Sequence, residues 1–437
     1  MQNLSISKYF ILSLVFININ ADNLEESIKN GILTTNFKTF YFNGDRDNRT
    51  DREALAVGGI AKYESASYYG FSVGTGFYVS TDLLKSGWQT AQKGSIENGG
   101  SENIVTKNIA GNTEMVNYKD GSSINSLAEA YIQYSIAKTS IKYGRQRLDT
   151  PLMNDYYNRF LPNTFEATLL TNQDLPQTKL LGIYATRWKY KASDEFIGMT
   201  EGLAADEDAY KPDSDVMIVG AINKSIPNTK LQAFYYMTPD IMNTFYGQAD
   251  NSVKFGTIKV SSAIQYLNQK KDGKEFLGKL DSYLLGTKVT LSYNNFSIKG
   301  MYDQVGDYTI RGSGTDYHTI GWSQFVNFTD IQIDGEALNA GAVSYGAIIE
   351  YKFTNSLNTA VKYVRIDQDL EKQAAGNTPN TRPSSDEYNL DIKYKINKAS
   401  KLRVRFGYID YESTHKNEFD EMNTRIIYDY RFTLASK

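Results

Sequence analysis

Basic residues recur at every second position near the end of this chain. Lys393 and Lys395 come first, then Lys401, Arg403 and Arg405, then Arg425 and Arg431. The alternate positions hold Leu390, Ile392 and Tyr394, then Leu402, Val404 and Phe406, then Ile426, Tyr428, Tyr430 and Phe432. A spacing of two places the cations of each segment on one face of a strand and the apolar residues on the other. Cations in a row with apolar backs suit the wall of a wet passage set in nonpolar surroundings. Rows of Arg and Lys favour anions, and a guanidinium can hold a carboxylate through two parallel hydrogen bonds. The plainer alternative is that the same side chains pair with neighbouring acids and merely keep the passage wet.

Other chemistry is weakly supported. The histidines are His318 and His415, both in predicted loops, and cysteine is absent. A serine nucleophile needs a held, desolvated base, and zinc sites draw mostly on Cys and His, so neither catalysis nor a metal or other cofactor is expected. Asp206, Glu207, Asp208, Asp213 and Asp215 lack the Asp-x-Asp-x-Asp-Gly spacing of a calcium loop and read as a solvated acidic loop. Gly74-Thr75-Gly76 lies on a strand with no helix behind it, so it reads as a track of small residues rather than a phosphate loop. Basic and aromatic residues fall on opposite strand faces, which does not support nucleic-acid binding.

The elements that position the cations follow one rhythm. From Tyr69 to Val79 one phase is Tyr69, Phe71, Val73, Thr75, Phe77, Val79, and the other is Gly70, Ser72, Gly74, Gly76, Tyr78. Eighteen segments of this kind run from 33–43, 54–64 and 69–79 to 386–396, 400–412 and 423–432. The gaps after even-numbered segments are short and rich in turn formers, among them Ala137-Lys138, Ile226-Pro227-Asn228, Asn251-Ser252 and Asn294-Asn295. The other gaps are mostly long: 80–126, 148–163, 192–214, 305–340 and 367–385. An even strand number, both ends on the short-turn side and long loops on the other describe an all-β, transmembrane antiparallel β-barrel of about eighteen strands, with short periplasmic turns and long external loops.

In such a barrel the polar phase faces the lumen. That phase adds Lys142, Arg187, Lys189, Lys259, Lys288, Lys299 and Lys352 to the inward set, against Glu129, Glu166, Asp303, Glu350, Asp391 and Asp429. A net positive lumen is expected although the chain's formal net charge is −3. The first and fifteenth segments have no clear phase, which leaves the side of Lys38 and Arg365 open.

Composition agrees with this reading. No run of 18 apolar residues could span a bilayer as a helix. The mean hydropathy of −0.46 is compatible with a barrel, where only every second strand residue meets lipid. Tyrosine, present 33 times, suits interfaces where a ring lies beside water. Residues 1–21 read as a signal peptide: Lys8, an apolar core from Tyr9 to Ile17 and a cleavage site at Ile19-Asn20-Ala21. Residues 22–437 then form one barrel domain.

Residues 139–172 carry the most specific local text: Thr-Ser-Ile-Lys-Tyr-Gly-Arg-Gln-Arg-Leu-Asp-Thr-Pro, then Asn154 to Arg159, then Leu161-Pro162-Asn163-Thr164-Phe165-Glu166. This resembles the OprD family of outer-membrane porins, as do the opening Asn36-Phe37-Lys38-Thr39-Phe40-Tyr41-Phe42-Asn43 and the closing Asp429-Tyr430. The resemblance implies an 18-stranded barrel in the outer membrane of a Gram-negative-type envelope, narrowed by inward-folded loops. It implies passive, partly selective diffusion of small carboxylate-bearing solutes, anionic or zwitterionic, along a basic ladder. Lys38 matches a ladder position on the first strand, and Lys393, Lys395, Lys401, Arg403 and Arg405 fall where the late ladder residues lie, with Arg425 beside them by phase. Loop 148–163 would be the constriction, with Tyr156, Tyr157, Asn158 and Arg159 near its eyelet. The partners expected are outer-membrane lipid, lipopolysaccharide and the barrel assembly machinery, and the barrel would be a monomer or homotrimer. Such barrels usually end on an aromatic residue; here Phe432 is followed by Thr433 to Lys437. The competing reading is a plugged, structural or adhesive barrel that acts through its external loops.

Overall fold

Segments with an apolar residue at every second position extend into strands, and eighteen of them pair antiparallel around a ring until the last meets the first. The computed structural model describes residues 23–47, 51–84, 89–90, 106–107, 113–155, 157–200, 214–275, 280–310, 326–333, 337–375, 383–412 and 420–435. The expected signal segment lies outside these residues.

The barrel strands are β1 Ile32–Arg46, β2 Arg52–Glu64, β3 Phe71–Asp82, β4 Ile124–Ile136, β5 Thr139–Gln146 and β6 Thr164–Asn172. Next come β7 Thr178–Lys189, β8 Val216–Asn223, β9 Thr229–Thr238, β10 Met242–Phe255, β11 Ile258–Lys271 and β12 Asp281–Tyr293. The ring ends with β13 Phe296–Val305, β14 Val343–Lys352, β15 Leu357–Asp367, β16 Ser385–Lys395, β17 Ser400–Tyr411 and β18 Glu421–Ala435. Closure runs from Ile32 opposite Ala435 to Arg46 opposite Glu421. Two short helices, α1 Leu24–Lys29 and α2 Leu370–Ala375, lie outside the ring of strands, and no helix among the described residues is long and apolar enough to cross a membrane.

Each segment read from the sequence overlaps one of these strands. One turn moves. Asn251-Ser252 sits inside β10, with Ser252 opposite Ser261, and the chain reverses at Gly256-Thr257. Gly256 has φ +58 and open space around its Cβ position, so the positive-φ site a tight hairpin needs falls there and not at the Asn-Ser pair.

The outward face carries two aromatic belts, visible in the register. Near the long-loop end Tyr302 faces Tyr345, and Tyr363, Tyr388 and Tyr408 stand in a row. Near the short-turn end Tyr293, Phe296 and Tyr351 form another row. Between the belts lie residues such as Val73, Ile264, Val289 and Val361, all about half exposed and therefore facing lipid. The Gly74-Thr75-Gly76 track has a lumen role: a Cβ on Gly74 would strike the Tyr131 ring at 2.3 Å, and one on Gly76 would press on Glu129 at 3.1 Å. The small residues make room for these two inward side chains.

The inward face is not polar throughout. In the outer halves of β7 to β12, Ile183, Val216, Ile218, Phe234, Leu267 and Leu284 point inward and are buried. Leu148, Leu152 and Met153 of the β5–β6 loop and Ile310 and Leu338 of the β13–β14 loop cover them. Burial of apolar surface thus draws these loops into the barrel. An inward polar phase holds only where a strand meets water.

A substitution tests the assignment of faces. Val404 lies mid-strand on the lipid face of β17, opposite Ile392 and Ile426. Val404→Arg is expected to cost about 2–4 kcal/mol, read by equilibrium unfolding from phospholipid vesicles. Lys401→Gln, on the lumen face of the same strand, should change stability by less than about 0.5 kcal/mol. Equal costs at the two positions would overturn this assignment, and the opposite order would reverse the faces.

Candidate functional site

Closure of the barrel sets β16, β17, β18 and β1 side by side, and their register arranges the inward cations in three rows. The outermost row holds Phe42, Arg425, Arg405 and Asp391. The next holds Phe40, Ile427, Arg403 and Lys393, and the innermost holds Lys38, Asp429, Lys401 and Lys395. Successive rows are two residues apart, about 7 Å along a strand. The rows descend from mid-barrel toward the short-turn end.

Asp391 is the acid at the centre of this wall. Arg403 donates to it from Nε at 2.8 Å and from Nη2 at 2.6 Å. Lys393 Nζ lies 3.3 Å and Lys362 Nζ 3.5 Å from the same carboxylate. Three cations therefore share one acid, which leaves this part of the wall positive.

Arg405 and Arg425 are almost wholly buried, at 7 % and 2 % exposure. The segment 326–333 of the β13–β14 loop lies against them inside the lumen. Arg405 Nη2 donates to the Ile331 carbonyl and Arg425 Nη2 to the Gln332 carbonyl, both at 3.0 Å. The loop is tied to both walls: Thr329 N–H donates to Asp303 at 2.8 Å and Ile333 N–H to Glu387 at 2.9 Å. These residues of the long 305–340 segment therefore fold inward, beside the expected constriction loop 148–163. The inward Val364 and Ile366 of β15 pack with Ile331 and Ala337, which is why the segment turns in.

The β5–β6 loop closes the other side. Lys38 Nζ donates to the carbonyls of Arg159 at 3.0 Å and Phe160 at 3.1 Å and sits 3.8 Å over the Tyr157 ring. Asn36 donates to the Tyr157 hydroxyl at 3.1 Å. Asn158 accepts from Lys191 at 2.8 Å. Tyr156 lies outside the described residues. Three guanidiniums surround the ring of Phe42: Arg52 and Arg425 at 5.5 Å and Arg159 at 5.6 Å. Cation–π attraction helps to hold like charges there. Arg159 Nη1 and Arg405 Nε are buried donors without a hydrogen-bond partner among the described residues.

One acid enters from the β3–β4 loop. Glu114 lies 2.9 Å from Lys191 Nζ and 3.3 Å from Arg159 Nε, and the Tyr190 hydroxyl donates to it. Burial pushes the Glu114 carboxyl up, but Lys191 and Arg159 outweigh it and hold the pKa at about 2. Burial lowers Lys191 to about 8, with Glu114 acting in the opposite sense.

Sequence reasoning missed several of these residues. Glu114 and Lys191 lie in loops, where no periodicity marks a face. Lys62 and Lys362 follow inward phases that are otherwise small or apolar: Ala54, Ala56 and Gly58 on β2, and Ala360, Val364 and Ile366 on β15. Lys62 pairs with Glu129 at 3.0 Å. Arg365 turns outward, where it binds Asp386 at 2.8 Å and Asp367 at 2.7 Å. Glu166 and Arg187 also leave the inward set: β6 turns the apolar Phe165 and Ala167 inward and so Glu166 outward, and a bulge that inserts Thr186 into β7 turns Arg187 outward. Of the acidic cluster near 206–215 only Asp215 is described, and it accepts from the Tyr184 hydroxyl. His318 and His415 lie outside the described residues.

The model of the outer membrane porin, OprD family, matches residues 27–434. The chain belongs to the OprD family. Its barrel is similar to OccAB3 of Acinetobacter baumannii, at 18 % identity and a TM-score of 0.77 over 92 % of this chain and 99 % of that one. It is also similar to OpdK of Pseudomonas aeruginosa with vanillate, at 15 % identity and 0.74 over 93 % and 100 %. OccK9 (OpdG) of Pseudomonas aeruginosa matches at 17 % identity and 0.74 over 94 % and 100 %. No curated protein matches the chain. As an OprD-family porin the protein is a passive, substrate-specific channel of the Gram-negative outer membrane, not an enzyme.

The Glu114 contacts make a pH prediction. Its folded pKa, about 2, is below the ordinary value of 4.5, so its stabilising contribution is present above 4.5 and is lost as pH falls toward 2. Acidification through that window should release the loops it ties and raise the frequency of current interruptions in planar bilayers. Glu114→Gln should show frequent interruptions already at neutral pH and no further rise in the acid window. An identical acid rise in wild type and variant would assign it to another group.

Proposed function

We propose that this porin passes small carboxylate-bearing solutes by diffusion along the basic wall of β16, β17, β18 and β1. The observation that carries the reading is the arrangement around Asp391: Arg403, Lys393 and Lys362 share one carboxylate, with Arg405 opposite it in the register. An anion passing there meets uncompensated positive charge. The rows are about 7 Å apart, within the ~10 Å screening length at 0.1 M salt. A carboxylate leaving one row is therefore already attracted by the next.

The eyelet is the second support. Lys38, Tyr157, Asn158 and Arg159 meet there with Arg405 and Arg425, which gathers four cations at one section of the lumen. A solute that sheds water in this narrow section feels wall charge through a lower effective dielectric than bulk. Lys395 and Lys401 would receive it at the inner end, and Arg425 lies at the outer end. OpdK, similar in fold, has been solved with vanillate, a carboxylate.

Charge removal tests the reading. Arg403→Gln with Arg405→Gln should shift the reversal potential in a salt gradient toward cations and slow uptake of small carboxylates. The shift should shrink as salt rises. A reversal potential unchanged at low salt, in a barrel that still conducts, would place both side chains off the permeation path.

A further inference from the structure

The bulge at Glu166 creates a feature that the transport path does not use. Its inserted residue, Thr186 of β7, turns Arg187 to the outside of the barrel, in one row with the outward Glu166 and Arg145: Arg145 faces Glu166, and Glu166 faces Arg187. The row next to it toward the short-turn end is Tyr143, Thr168 and Tyr184, with Tyr143 64 % and Tyr184 44 % exposed. Those tyrosines belong to the outer aromatic belt, where hydrocarbon gives way to headgroups. The charged row lies one step beyond it, near the outer ends of β5 and β7.

We propose that Arg145 and Arg187 bind the phosphate of a phosphorylated glycolipid in the outer leaflet. Two guanidiniums face a single carboxylate, and the contact between Arg145 Nε and Glu166 is long, at 3.5 Å. The side chains of Arg145 and Glu166 are about one-third exposed, at 36 % and 32 %, and Arg187 is exposed. Both arginines are held in place. Arg145 stacks over the Phe196 ring at 4.4 Å and donates to the Leu127 carbonyl at 3.4 Å, while Arg187 donates to the Phe196 carbonyl. Phe196 itself is buried, so it is a fixed support. The nearby Glu195 is occupied by Lys119 at 2.8 Å. Preplaced planar donors at headgroup level match a phosphate with its several acceptor oxygens.

The rest of the rim argues for this sector. Across the barrel the corresponding row is Arg365, Asp386 and Asp410, and Arg365 is engaged by Asp367, Asp386 and Glu412. That sector is acidic and repels phosphate. Charge complementarity therefore selects the β5–β7 face for an anionic headgroup anchored in the adjoining leaflet.

The test uses the whole purified porin in detergent, with bisphosphorylated lipid A, its dephosphorylated form and millimolar inorganic phosphate as probes. Binding is read by native mass spectrometry. Wild type should prefer the bisphosphorylated form, and Arg145→Gln with Arg187→Gln should weaken it about 30-fold, roughly the effect of two interfacial basic residues. Arg365→Gln should leave it unchanged. Glu166→Gln removes the competing carboxylate and should tighten binding about 5-fold; this arm decides the matter if the double variant fails to fold. Equal binding of the dephosphorylated lipid, full competition by inorganic phosphate, or an unaltered double variant that folds would each overturn the assignment.

Discussion

Every backbone N–H and C=O of a strand in hydrocarbon must find a partner within the protein, because an unpaired group there costs several kcal/mol. The pairing of β1 with β18, from Ile32 opposite Ala435 to Arg46 opposite Glu421, meets that requirement at the one seam the chain order leaves open. The ladder depends on the same seam. Lys38 lies some 390 residues from Asp429 in sequence and directly opposite it in the barrel. Phe42 comes to face Arg425 in the same way, and the Arg52, Arg159 and Arg425 guanidiniums gather around its ring. Closure therefore supplies both the barrier to lipid and the continuity of the basic wall.

Burying guanidiniums is costly unless their donors and charge are answered. Inward loops answer part of that demand here. The Ile331 and Gln332 carbonyls receive Arg405 and Arg425, and the Arg159 and Phe160 carbonyls receive Lys38. The loops are inside for a separate reason: the apolar inward patches on β7 to β12 and on β15 need cover. Hydrophobic burial recruits the loops, and hydrogen bonds from the basic wall and from β13 and β16 fix them. Backbone carbonyls thus stand beside the inward cations.

The barrel was legible in the sequence because its signal is repeated: alternation names a strand, and loop length names its ends. The turn at Gly256-Thr257 was misplaced because Asn251-Ser252 carries turn-forming residues, whereas the deciding property is a positive φ that the sequence shows only as one glycine among many. The basic rows on β16 to β18 were readable because these strands alternate cleanly. Arg187 was read to the wrong side because a single inserted residue inverts the phase beyond it, and a bulge leaves no mark in a pattern of period two; Glu166 was misread because the inward residues beside it, Phe165 and Ala167, are apolar. The phase of β1 and β15 was unreadable for a related reason: the inward Phe40, Phe42, Val364 and Ile366 are apolar because loops cover them. Glu114 and Lys191 meet only through tertiary folding of two loops, and no local pattern could pair them.

On the proposed reading, a wall that binds carboxylates must also release them. Conduction needs sites favourable enough to enter and weak enough to leave. The acids on this wall serve the second condition. Arg403 already holds Asp391 through two hydrogen bonds, so an arriving carboxylate competes with a resident one and does not find a bare guanidinium. Arg405 and Arg425 have Nη2 donors committed to loop carbonyls, and Glu114 tempers Lys191 and Arg159. Asp429 stands between Lys38 and Lys401 in the innermost row. Each row thus pairs an excess of cations with an acid or a carbonyl, which makes the well at that row shallower while the ~7 Å step keeps the next row within reach. Partial neutralisation and a selective path are the same design: without the cations an anion has no reason to enter, and without the acids it has little reason to move on.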